Sequence, residues 1–234
     1  MKHFSDIFYP SDREKLTSLT YTGKSDVTYP VIIVPHAGLE YVSCMLKSGF
    51  SHLRPAARYV FIAPLHNGAF PDSRECLFTL NDATLPTPYK DVRIKKAEGI
   101  TAEDSIEEEE YSLELTLPFF GLEKSDTVIP IFTSLKSAED VKKLRRVITQ
   151  LNDGSTSFVI SGNMASEGRI EKMKIQADTL EMFLSETKPL LEEARKGTVS
   201  GCAVHIAEAF RGLYTSYTSL SKGDNPMHRT GAFL

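Results

Sequence analysis

Hydrophobic and polar positions along the chain alternate between short apolar runs and longer segments with apolar residues at helical spacing. Two runs, 29–34 and 59–63, are rich in β-branched and aromatic residues, which is typical of buried strands. Between them, 41–53 carries apolar residues at helical spacing, which predicts a helix. Each predicted strand ends at a proline, and a histidine follows: His36 after the first strand and His66 after the second.

The same alternation continues along the rest of the chain. Further strands are predicted at 76–80, 92–94, 127–132, 157–161 and 213–220, with a proline-containing turn at 85–88. Further helices are predicted after Ser137, whose spacing to Asp140 resembles a capping box, from 170 to 195 with a break at Lys188-Pro189, and from Gly201 with Ser200 as the N-cap. This order predicts a three-layer α/β/α fold with a mixed, largely parallel central sheet, to which 75–95 could add antiparallel edges.

Composition narrows the class of protein. The 234 residues suffice for one domain with a substantial core, and 41% hydrophobic and 25% charged residues are typical of a globular chain. The net charge of −4, without a basic block, argues against a nucleic-acid partner. No apolar stretch approaches the roughly 20 residues that span a bilayer, and the first residues lack a signal core. Three widely spaced cysteines fit a reducing compartment, so we expect a cytoplasmic protein. From its length, we expect a single domain over 1–234.

The two histidines that follow strands are the first candidates for chemistry. A residue just past a parallel strand lies at the carboxyl edge of the sheet, where open α/β folds bind ligands. Neighbouring strands would bring His36 and His66 to one pocket, and imidazole is the commonest side-chain metal ligand. The alternative is that each histidine only hydrogen-bonds its own loop. The acidic run 103–110 is predicted to be mostly a solvated face.

Motifs in a fixed order resemble the Memo family, also called the B component of the AmmeMemoRadiSam system. The matching segments are Phe8-Tyr9-Pro10, Pro35-His36-Ala37-Gly38 followed by Tyr41, 63–67, 110–114 with 117–120, Pro130-Ile131, 161–166, Ser200-Gly201 and Gly231-Ala232. The resemblance covers nearly the whole chain. It implies a fold shared with class III extradiol dioxygenases, which are non-haem iron enzymes, and a pocket built from histidines and a cysteine.

The resemblance also implies a set of site residues, and this chain departs from it. Carried over position by position, the family site would be His36, His66, Tyr111, Asn163, Ser166 and Ser200. Only the two histidines keep the family's residue, because the other four positions hold histidine, aspartate, histidine and cysteine in the family. A phenol with a pKa near 10, a neutral amide and two hydroxyls are poor metal ligands at neutral pH.

Two further residues could supply a third ligand. Glu114 lies near the altered motif and could offer a carboxylate, although a place on a helix surface is an alternative. Cys202 lies two residues past the position of the family's cysteine. It could turn a thiolate inward if the loop shifted by two residues, or it could be a small apolar core residue. Cys44 is predicted to lie in the core, His205 to face solvent or a partner, and His3, His52 and His228 belong to no predicted constellation.

Three functions stay open at this point. The favoured one is a diverged Memo-like protein with a degenerate metal pocket, a non-catalytic binding or accessory protein for an unknown small molecule, peptide or protein. The second is an oxidoreductase that uses non-haem iron or copper at His36 and His66. For the pocket itself we expect either no cofactor or a weakly bound ion of iron, copper or zinc. The third is a metal-free hydrolase with Ser166 or Ser200 as nucleophile. It ranks last, because the sequence offers neither a GxSxG elbow nor a group to orient the histidine.

Overall fold

A mixed sheet of mostly parallel strands, flanked by helices, organises the molecule, as the sequence predicted. The computed structural model describes residues 4–20, 23–66, 75–86, 91–120, 127–166 and 168–234. The strands are β1 Val31–Val34, β2 Arg58–Pro64, β3 Leu77–Thr79, β4 Ala83–Pro86, β5 Asp91–Ile94, β6 Thr101–Ala102, β7 Thr127–Thr133, β8 Thr156–Ser161, β9 Tyr217–Lys222 and β10 Arg229–Phe233. The helices are α1 Arg13–Thr20, α2 Leu39–Ser51, α3 Ile106–Glu109, α4 Tyr111–Thr116, α5 Ala138–Leu151, α6 Ile170–Ser185, α7 Leu191–Lys196 and α8 Ala203–Phe210.

The strand order explains how the two histidines become neighbours. The sheet runs β4-β5-β7-β2-β8-β1-β10-β9, and the pairs from β5 to β1 are parallel. β1 and β2 both pair with β8, so the carboxyl ends of β1, β8 and β2 lie side by side. The antiparallel strands β10 and β9 complete one edge, and the β4–β5 hairpin forms the other.

Helices cover both faces of the sheet. On one face, the apolar residues of α5, α6 and α8 pack on the odd-numbered residues of β1, such as Ile33. On the other face, α1, α2 and α4 pack on the even-numbered residues, such as Ile32. All four residues of β1 are buried, which is why this strand is a continuous apolar run in the sequence. Among the described residues, no helix is long and apolar enough to cross a membrane.

Several local predictions are confirmed. The capping box of α5 is present, with Ser137 Oγ accepting from the Asp140 backbone and Asp140 Oδ2 accepting from the Ser137 backbone. The predicted break at Lys188-Pro189 separates α6 from α7. Helix α4 ends at Thr116, two residues before Pro118, and is followed by a 3₁₀ turn over Leu117–Phe119.

Other local predictions are wrong. Of the predicted turn at 85–88, residues 85–86 belong to strand β4 and 87–88 lie outside the described residues. α8 begins at Ala203, so Ser200 is not its N-cap. The closing strand begins only at Tyr217, and β10 follows it without having been predicted. Cys44 is exposed, because it lies on the outer face of α2.

Candidate metal centre

His36, just past the carboxyl end of β1, is held by one contact to its imidazole ring and one to its backbone. It is 1% exposed, and its Nδ1 lies 3.1 Å from Ser161 Oγ at the end of the neighbouring strand β8. Its backbone N–H donates to Asn163 Oδ1 at 3.3 Å. Because Nδ1 has a protein partner, Nε2 is the ring nitrogen that is left to face the site.

His66 is fixed in the same way by a buried carboxylate. Glu110 Oε2 accepts from His66 Nδ1 at 2.8 Å and from the His66 backbone N–H at 3.2 Å. The other oxygen, Oε1, accepts from Ser112 N at 3.0 Å and caps helix α4. A histidine that donates Nδ1–H to a carboxylate presents the lone pair of Nε2, which is the usual arrangement behind a metal ligand.

Cys202 completes the group. Its Sγ lies 3.2 Å from His36 Nε2, and His36 Nε2 lies 3.1 Å from His66 Nε2. All three ligand atoms lie within 4.8 Å of one another. Two nitrogens bound at 2.0–2.1 Å to one tetrahedral ion are about 3.3 Å apart, and a nitrogen and a sulfur about 3.6 Å apart. The donor set therefore fits a single metal ion with small adjustments.

The backbone around Gly201 explains why Cys202, and not Ser200, faces the site. Gly201 has a φ of +116°, a conformation that side-chain-bearing residues rarely adopt. This turn brings the thiol of Cys202, at the start of α8, over the end of β8, where Asn163 N donates to Sγ at 3.0 Å. Cys202 therefore faces the two histidines, which is the inward orientation that the sequence left open.

Charges in the group act on one another. Burial raises the pKa of the Cys202 thiol, but the neighbouring imidazoles of His36 and His66 lower it by more, to about 6. Burial lowers the pKa of His66, but its hydrogen bonds and charge interactions with Cys202 and Glu110 raise it by more, to about 10. Burial likewise raises the pKa of Glu110, and the contact with His66 lowers it below its ordinary value. Without a metal, the site holds a thiolate beside an imidazolium.

Tyr111 forms a wall of the site rather than a ligand. Its ring stacks on His66, with centroids 5.6 Å apart and a 24° interplanar angle, and its hydroxyl donates to the His36 carbonyl at 3.4 Å. Burial, together with the charges of Glu110 and Cys202, raises the pKa of its phenol further above 10. The hydroxyl therefore stays protonated, so it cannot serve as a phenolate ligand.

The remaining candidate residues lie around the group without entering it. Asn163 holds the backbone of His36 and the sulfur of Cys202. Ser166 and Ser200 hydrogen-bond to each other through their hydroxyls, and Ser166 is exposed. Glu114 is buried, but its partners are Tyr9 and the Phe4 backbone, so it is not the third ligand in this structure.

The structure also places the other histidines. His228 is buried, and extending the β1–β10 register by three residues sets it opposite His36. Burial and the charge of His36 lower its pKa. His205 is half-buried, not fully solvent-facing, and His52 bonds the Ser48 carbonyl at the end of α2. His3 lies outside the described residues.

Sequence reasoning missed Glu110 as a site residue. It stands at the end of the acidic run, whose other carboxylates are exposed or half-buried. A signal was available, because Glu110 directly precedes an apolar, helix-compatible segment at 111–117, and a carboxylate commonly caps the start of a helix. The cap alone would not have indicated the contact with His66, which joins residues 44 positions apart.

Comparison with known proteins agrees with this architecture. The sequence model of the family described as "Memo-like protein" matches residues 4–196. No curated protein matches the sequence. The crystal structure of the uncharacterized protein JW3007 from Escherichia coli K12 is similar at 12% identity and a TM-score of 0.51, over 87% of this chain and 98% of that chain. At that identity the likeness concerns the fold alone.

Proposed function

This chain belongs to the Memo-like protein family, and from that premise we propose that it is a metal-dependent oxidoreductase whose ion is held by His36, His66 and Cys202. One observation carries the proposal: two Nε2 atoms and one Sγ converge, while both Nδ1 atoms are bonded behind them. Such bonding orients each imidazole so that its Nε2 faces the place that the ion would occupy.

The donor set favours copper or zinc over iron. Non-haem iron oxygenases use two histidines and one carboxylate, whereas thiolate with imidazole suits Cu(I) and Zn(II). Glu110 is engaged at His66 Nδ1, and Glu114 binds Tyr9, so neither carboxylate faces the Nε2 atoms. Of the two favoured ions, only copper changes its oxidation state, so an oxidoreductase of this design would use copper.

The protein's own side chains would hold the ligands in place and control access to the ion. When held by His36, His66 and Cys202, copper would supply one-electron redox chemistry. Glu110 and Ser161 hold the imidazoles, and Tyr111 shields one side of the group from water. The His66 side chain is 30% exposed, so a small substrate can reach the site from that side.

Metal analysis tests this proposal. Protein purified without an affinity tag or chelator, and then incubated with Cu(I) or Zn(II), is expected to bind about one ion, and the His36→Ala/His66→Ala double variant none. Copper-loaded protein should then consume oxygen in the presence of a reductant. If neither ion binds, the proposal fails, and the non-catalytic binding protein becomes the better account. Zinc binding without redox activity would likewise overturn the oxidoreductase.

Glu110→Gln is expected to weaken metal binding by 10- to 100-fold, because outer-shell partners of metal-bound histidines commonly contribute that much. The amide keeps an acceptor oxygen for the cap at Ser112 but removes the charge that orients His66. Chelator competition measures the change. Glu109→Gln is the matched control, since Glu109 is exposed one residue earlier, and an equal loss in both variants would contradict the assigned role.

Metal affinity is also expected to fall as the pH falls. The raised pKa of His66, about 10, means that an ion must displace one proton from it at neutral pH. Below the Cys202 pKa of about 6, a second proton competes. The dissociation constant should therefore rise about tenfold per pH unit between pH 8 and 6 and more steeply below pH 6. Competition titrations from pH 5 to 8 check this, and a constant affinity would contradict it.

A further inference from the structure

Glu114 anchors the residues 4–9, which we call the N-terminal strap. The carboxylate is 4% exposed, and its Oε1 accepts from the Phe4 backbone N–H at 3.1 Å and from the Tyr9 hydroxyl. Within the described part of the chain, Oε2 has no hydrogen-bond partner. Burying the polar carboxyl group of Glu114 without hydrogen-bond partners would be costly, and the two ends of the strap supply those partners.

The strap is a compact turn tied to the loop that carries His36. Phe8 N donates to the Phe4 carbonyl at 3.0 Å, and Asp6 N donates to the Tyr9 carbonyl at 2.6 Å. The carbonyl of Phe8 accepts from Leu39 N at 2.7 Å. Since Leu39 begins α2 three residues after His36, the strap bridges the His36 loop and helix α4.

Aromatic stacking connects the strap to the metal centre through Tyr111. The Phe8 ring lies parallel to the Tyr111 ring, with centroids 4.0 Å apart and an interplanar angle of 6°. Tyr111 in turn stacks on His66 and donates to the His36 carbonyl. Tyr111 and Glu114 are three residues apart on α4, so one face of that short helix receives both contacts with the strap.

We propose that Phe8, Tyr9 and Glu114 are positioning residues that hold Tyr111 against His66 and thereby retard exchange at the metal centre. This inference rests on the proposed metal binding at His36, His66 and Cys202. The strap contacts none of the three ligand atoms in these hydrogen bonds and stacks, so it acts through Tyr111. Loosening the strap should change the rate at which the site opens more than it changes the stability of the fold.

The test uses Tyr9→Phe, which removes the hydroxyl bound to Glu114, and Phe8→Leu, which removes the stacked ring. Phe8→Tyr keeps the ring and serves as the conservative rescue, and Ile7→Ala is the control, because Ile7 is 72% exposed in the same strap. Release of Zn(II) into excess chelator is expected to be about tenfold faster in Tyr9→Phe and Phe8→Leu than in the wild type, Phe8→Tyr and Ile7→Ala. Thermal melting of each zinc-free variant is recorded beside it.

A second readout needs no metal and separates the two proposals. Alkylation of Cys202 by iodoacetamide is followed by mass spectrometry, with the exposed Cys44 as the internal reference. Tyr9→Phe and Phe8→Leu are expected to speed Cys202 alkylation about tenfold relative to Cys44. If the wild type binds neither zinc nor copper but Cys202 alkylation responds, the proposed function fails and the role of the strap in holding Tyr111 over the site stands. Unchanged release and alkylation, or release that follows the melting temperature across all variants, would overturn the strap.

Discussion

Cys202→Ser is expected to weaken the binding of Zn(II) or Cu(I) by more than about 100-fold, exceeding the 10- to 100-fold range of outer-shell changes. The thiolate is the charged member of the ligand group, with a pKa lowered to about 6, whereas a serine hydroxyl stays protonated at neutral pH. Two imidazoles alone would then face the ion. The fold should persist, because Cys202 is only half-buried and stands at the N-cap of α8, where serine is favoured.

Chelator competition measures the loss, and copper(I) binding is followed in an anaerobic titration with the same variants. Cys44→Ser is the matched control, because Cys44 is exposed on α2 and is not a member of the ligand group. It should bind metal like the wild type. Equal affinities for wild-type and Cys202→Ser protein would mean that the ion, if bound, is held elsewhere, and would remove the basis of the proposed function.

Gly201→Ala is expected to lower the free energy of unfolding by about 4 kcal/mol, combining backbone strain of 1–3 kcal/mol with overpacking of 1–3 kcal/mol. A Cβ at this position would overlap the Asn163 carbonyl oxygen and lie 2.8 Å from Ala165 N. Both are backbone atoms, so no side-chain rotation relieves the clash. The φ of +116° adds strain even where space is available.

Urea denaturation measures the change, and Gly154→Ala separates its two causes. Gly154 also has a positive φ, +82°, but a Cβ added there would meet nothing within 4 Å, so only strain of about 1 kcal/mol is expected. Metal affinity should fall in Gly201→Ala and not in Gly154→Ala, because the first displaces the turn that presents Cys202. A loss in Gly201→Ala no larger than in Gly154→Ala would contradict the close-packing argument.

The two histidines of the candidate site could be predicted from the sequence, and its other members could not. His36 and His66 follow strands with enough β-branched and aromatic residues to be recognised, and strand ends of a parallel sheet meet at one edge. Glu110 was assigned to a solvated acidic run because its neighbours are solvated, and its burial depends on a histidine 44 residues away. Glu114 was considered as a ligand, but the N-terminal strap engages it instead.

The fold was predictable to a similar extent. The alternation of apolar runs and helical spacing indicated the sheet, its flanking helices and the capping box of α5. Strand β10 was not predicted, because Arg229-Thr230-Gly231-Ala232-Phe233 is not an apolar run. Its burial comes from pairing with β1 and β9. Residues 83–86 were not predicted as a strand, because a proline near a strand end indicates a turn until the partner strand is known.

The sequence by itself determined the class of fold and the pair of histidines, because periodic apolar burial and strand ends are local properties of the chain. Only the tertiary structure decided that Cys202 is the third member of the group, that Glu110 orients His66, and that the strap closes on Tyr111. These contacts join residues 44 to 166 positions apart, or depend on one glycine in a left-handed turn. Because the packing of separate helices and strands determines these contacts, the local sequence pattern does not predict them.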